Sequence, residues 1–122
     1  MKEKENWKVF DLAFEQQADI FELSKIFPKE ELYSLTSQIR RSSRSVYSTL
    51  SEAYRKTKYP QLLILKLTDA DSENSETSSW LDVAVSCRYI KEDEIGNLRE
   101  LNLQIGKLLN YMMKNTGTFC FR

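Results

Sequence analysis

Chain breakers are nearly absent from this sequence: three glycines and two prolines in 122 residues leave little to turn the backbone. A β-sandwich of this length needs a turn roughly every 8–12 residues. Scarce turns mean few, long elements, so the expected fold is all-α. The length suits one domain, 1–122, with a single core and no need of staples.

Four segments carry apolar residues at helical spacing. The first, about 7–27, holds Trp7, Phe10, Ala13, Phe14, Ile20, Phe21, Leu23 and Phe27, and Pro28 ends it. These aromatics read as core rather than as a stacking platform for bases. The second, about 34–56, traces one stripe through Leu35, Ile39, Ser42, Val46, Leu50 and Ala53. Pro60 suits the first turn of the third. That third segment contains a polar run, Thr68 to Ser79, with Ala70 as its one apolar residue. A structureless loop of that length is uncommon in a compact domain. Leu63, Leu67, Ala70, Asn74, Thr77, Leu81 and Ala84 stay in phase across it, so one continuous helix over about 60–87 is expected. The fourth runs over about 92–114 through Ile95, Leu98, Leu101, Ile105, Leu108 or Leu109, and Met112, and Asn115-Thr116-Gly117 stops it. Phe119-Cys120-Phe121 forms a short apolar tail. Short connections between four helices predict an antiparallel up-down-up-down four-helix bundle.

Charge is balanced overall, 18 basic against 18 acidic residues, so no global field drives the protein onto nucleic acid or an anionic membrane. Locally it is uneven. Residues 33–59 hold six cations against Glu52 alone, and residues 60–90 hold five carboxylates against Lys66 and Arg88. Histidine is absent, which removes the commonest general base and metal ligand. No catalytic site, metal or cofactor is expected. Glu73 and Glu76 share a helical face, but a di-metal bundle needs Glu-x-x-His. Cys87 and Cys120 are too far apart for a metal knuckle and read as a buried thiol and a tail thiol. Met1 to Asn6 lacks an apolar signal region, and Leu62 to Leu65 is far short of a membrane span, so a soluble, cytoplasmic protein is expected.

The run Thr36-Ser37-Gln38-Ile39-Arg40-Arg41-Ser42-Ser43-Arg44-Ser45-Val46 places three arginines among small hydroxyl residues. Around it stand Phe27-Pro28-Lys29-Glu30-Glu31, Ser51-Glu52-Ala53-Tyr54-Arg55-Lys56, Lys66-Leu67-Thr68-Asp69-Ala70-Asp71, Trp80-Leu81-Asp82 and Ile105-Gly106-Lys107-Leu108-Leu109. In this order the chain resembles the four-helix-bundle family first met as proteins encoded by intervening sequences within large-subunit ribosomal RNA genes. The resemblance covers nearly the whole chain. It implies an antiparallel bundle, helical through the polar run, that assembles into a ring, usually a pentamer. A related branch, the accessory proteins of diversity-generating retroelements, is a basic pentamer that binds nucleic acid and a reverse transcriptase. This chain departs from the family at Tyr47-Ser48-Thr49-Leu50, and its zero net charge departs from that basic branch.

Two functions compete for the arginines. In the favoured one the protein is a homo-oligomeric scaffold or protein-interaction module. Arg40, Arg41 and Arg44 then pair with Glu73, Glu76 or Asp71 of the same or a neighbouring subunit. Small residues on helices two and three, Trp80 and the apolar start of helix three supply the contact surface. In the alternative, the arginine cluster binds RNA phosphates.

Overall fold

Four long helices follow the apolar stripes in a computed structural model that describes residues 7–119: α1 Lys8–Ser24, α2 Ser37–Tyr54, α3 Pro60–Ser86 and α4 Gly96–Lys114. One further turn, α5, spans Thr116–Phe119, and no strand occurs among the described residues. Cys120 and Phe121 of the tail, and the Met1–Asn6 segment, lie outside them.

The helix ends differ from the expected ones where side chains intervene. α1 stops at Ser24, short of Phe27, because the Ser24 hydroxyl donates to the Phe21 carbonyl (3.0 Å) and the next three amides close tight turns. A 3₁₀ turn, Lys29–Glu31, and a wide π turn, Leu32–Thr36, then precede α2, which therefore begins at Ser37 rather than near Ser34. Glu31 fixes this entry. Its carboxylate accepts from the Ser34 hydroxyl (2.6 Å), the Leu35 amide (3.4 Å) and the Tyr89 hydroxyl (2.8 Å). α2 ends at Tyr54, two residues early, in backbone turns leading to Pro60.

α3 is continuous through the polar run, and its buried residues are Leu63, Leu67, Ala70, Asn74, Thr77, Leu81 and Ala84. It ends in a Schellman turn. The Arg88 amide donates to the Val85 carbonyl (2.9 Å) and the Tyr89 amide to the Ala84 carbonyl (3.0 Å), with Arg88 at φ 64°. Glycine usually takes that left-handed position. The expectation of a buried Cys87 fails: the thiol is exposed, because Leu81 and Ala84 mark the inward face and Cys87 caps the helix off that phase. Before α4, a 3₁₀ turn at Glu92–Glu94 is held by the Lys91 amide on Glu94 Oε1 (2.8 Å).

Paired contacts set the helix directions. Arg40 meets Ser24 while Tyr54 meets Phe10, so α2 runs back along α1. Arg41 meets Glu73 while Glu52 meets Lys66, which reverses α3 against α2. Arg99 meets Ser78 while Met113 meets Thr68, which reverses α4 against α3. The result is an up-down-up-down bundle. All six residues of the expected α2 stripe are buried. In α1 the reading is less accurate: Phe14 is exposed against Tyr47, whereas Val9 and Gln16 are buried.

A polar layer crosses the middle of the core. Gln16 of α1 donates to Asn74 Oδ1 (3.1 Å), and Asn74 of α3 donates to the Asn102 carbonyl (2.9 Å). Asn102 of α4 in turn donates to Gln16 Oε1 (2.8 Å). All three are buried, and each amide satisfies the others, as a low-dielectric interior requires. Beside the layer, the Thr77 hydroxyl reaches Ser42 Oγ (2.9 Å), where small residues let α2 and α3 approach.

Candidate functional site

The outward side of α2 carries the arginine cluster, and the turn of the helix divides it. Arg41 points to α3. Its guanidinium donates to Glu73 (3.2 Å) and to Glu76, and its Nε to Gln38 Oε1 (2.9 Å). The Trp80 indole N–H also donates to Glu76 (2.9 Å). That indole, followed by the Arg41 guanidinium, holds the Glu76 carboxyl below the usual carboxylate range against the opposing effect of burial. Glu76 foremost, then Glu73, raises the Arg41 pKa further. Of the expected arginine–carboxylate pairs, this fork between Glu73 and Glu76 is the one that forms within the chain.

Arg40 and Arg44 lean the other way, onto α1, and neither makes an ion pair among the described residues. Their guanidinium carbons lie 4.7 and 5.6 Å from the centre of the Phe21 ring, and Arg40 Nε donates to Ser24 Oγ (2.7 Å). Lys25 approaches the same ring at 4.9 Å and pairs with Glu22 (3.1 Å). Phe21, expected in the core, is half-buried and serves as a platform for cations. A shallow groove whose lining includes Tyr33, Ser37, Arg40, Arg44 and Ser48, and Arg41 as well, runs along this face, and Tyr33 is 91% exposed. Such a face offers hydrogen-bond donors, positive charge and one open aromatic ring. It can hold anionic groups.

Asp71, the third expected partner, meets none of the arginines. It faces α4, with Oδ1 4.0 Å from where a Cβ on Gly106 would sit, and burial alone pushes its pKa up. A carboxyl whose folded pKa is raised adds to stability below its unfolded pKa, near 3.9, and loses that contribution as pH rises through the folded value. Asp71→Asn is therefore expected to melt higher than the parent at pH 7, with the gain vanishing below about pH 3. Thermal melts across that range check it; a gain unchanged at low pH would exclude desolvation of the carboxylate as its cause.

Among the described residues no group of three or more His, Cys, Asp or Glu could hold a metal ion, and no helix is long and apolar enough to cross a membrane. A family model described as 23S rRNA-intervening sequence protein matches residues 5–111. Among solved structures, the chain is similar to a protein of unknown function from the S23 ribosomal protein family of Bacteroides thetaiotaomicron VPI-5482. The two share 28% identity at a TM-score of 0.80, over 94% of this chain and 100% of that one. No curated protein matches.

Proposed function

The chain belongs to the 23S rRNA-intervening sequence protein family, and on that premise we propose that it is a non-enzymatic, self-assembling scaffold acting in the cytoplasm. One observation carries the reading. Leu62 and Leu65, in the first turns of α3, are exposed one turn apart, and Tyr59 just before the helix is exposed as well. A patch of that kind is partner surface rather than core. Family resemblance implies a ring of five, and the role needs neither metal nor cofactor. Light scattering at micromolar concentration tests it: the expected mass is a multiple of the 14.4 kDa protomer, and a mass of one protomer overturns it.

A second reading, RNA binding, is favoured by Arg40 and Arg44, whose guanidinium groups have no carboxylate partner among the described residues and lie beside the exposed Tyr33 ring. Phosphate contacts through them would give an affinity that falls steeply with salt. Titration of single-stranded RNA at several salt concentrations tests this reading. Binding that ignores salt, or that survives Arg40→Ala/Arg44→Ala, would remove it.

A further inference from the structure

We propose that the basic face of α2 docks on the acidic face of α1 of a second copy of this chain, with Arg40 and Arg44 set against Glu15 and Asp19. The inference rests on the scaffold reading and adds, beside the apolar patch at the start of α3, a charged pair of faces through which copies meet.

Its starting point is the charge that the protomer leaves unanswered. Glu73 and Glu76 are taken by Arg41, Glu52 by Lys66, and Asp82 and Glu92 by Arg99. On α1, by contrast, Asp11, Glu15 and Asp19 stand on three successive turns. All three are exposed, and none makes an ion pair or hydrogen bond among the described residues. Lys8 flanks this row at one end and the Glu22–Lys25 pair at the other. On α2, Arg40 and Arg44 are one turn apart and equally without a carboxylate among the described residues. Like charges four residues apart weaken a helix. Each row therefore costs its own helix something that the opposite row would offset.

The two rows match in pitch, since four residues advance either helix by about 6 Å. They do not pair within the protomer. Val9, Ala13, Gln16 and Ile20 turn α1 inward and leave its acids on the outer side, just as Ile39, Val46 and Leu50 do for the arginines. On either side of the arginines the outer face of α2 bears Ser37 and Ser48, which allow a neighbouring helix to approach, and Tyr33 just before the helix offers an apolar anchor. Because the rows lie on different helices of one chain, each copy presents both. One copy's α2 can seat on the next copy's α1, a head-to-tail contact that closes into a ring when the rotation allows.

The test compares the masses, by light scattering, of the unmodified protein, Arg40→Glu/Arg44→Glu, Glu15→Lys/Asp19→Lys, and the variant carrying all four changes. Reversing either face alone is expected to weaken assembly by about a hundredfold or more, because like charges then oppose one another. Reversing both should restore it. Circular dichroism confirms that each variant folds, and the milder Arg40→Ala/Arg44→Ala or Glu15→Ala/Asp19→Ala replaces a single-face reversal that does not. Single-face variants that assemble like the parent overturn the inference, as does a fourfold variant that stays dissociated. A parent protein that is already monomeric overturns the scaffold reading as well. Intact assembly of Arg40→Glu/Arg44→Glu together with lost, salt-sensitive RNA binding would assign the face to nucleic acid instead.

Discussion

Replacing Val46 by aspartate is expected to leave the chain unfolded at room temperature. Val46 is fully buried at the centre of the α2 stripe, between Ile39 and Leu50. A carboxylate there has no cation to pair with and must either stay charged in the core or take up a proton at a cost. Domains of this size are stable by only about 5–15 kcal/mol, and an unpaired buried charge removes several of these. Ser48→Asp, on the exposed side of the same helix, is expected to change stability by less than about 0.5 kcal/mol when both variants are melted at a concentration too low for copies to associate. Circular dichroism melts separate the two, and equal melting of both variants would mean that the buried face of α2 is misassigned.

The second large effect is expected at the polar layer. Asn74→Ala removes the acceptor for Gln16 and the donor to the Asn102 carbonyl, leaving buried amide groups unpaired. The loss should be about 2–4 kcal/mol, more than one hydrogen bond is worth, because orphaned groups retain their desolvation penalty. Replacing Gln16, Asn74 and Asn102 together by leucine should recover much of that stability, since no polar group is then left without a partner. Denaturant unfolding of the two variants decides it. If the triple variant is the less stable one, the layer stabilises the bundle directly rather than selecting its register.

That layer also marks how far the sequence could be read. The phase of α3 survived its polar run because Asn74 and Thr77 occupy stripe positions, and both are buried. Periodicity sees position, not polarity, so a polar residue in phase could be recognised as internal. Gln16 and Asn102 were missed because neither α1 nor α4 has a break that drew attention to them. The entry to α2 was illegible for another reason: its π turn depends on Glu31 reaching Tyr89, which is 58 residues away in sequence. The cluster itself was partly legible. Arg40 and Arg44 share a face and Arg41 flanks them, so helical spacing already separated one arginine from two. Which neighbour each side met depended on helix packing, and Phe21 gave no sign of being a platform for cations. The Arg41 side chain is 47% exposed, so its fork is partly screened by water and cannot be treated as a desolvated pair.

Arg41 and Arg44, one turn of helix from each other in sequence, are thus assigned opposite tasks: one holds α2 to α3, the other is left for a partner. The dependence of melting temperature on protein concentration tests this division directly. Arg41→Ala is expected to lose about 1 kcal/mol, a fall in Tm of about 4 °C, by the same amount at every concentration, because its partners lie in the same chain. Arg44→Ala is expected to match the parent at the lowest concentration and fall below it only where copies associate. An Arg44→Ala protein that melts low at every concentration, beside an unchanged Arg41→Ala, would contradict it.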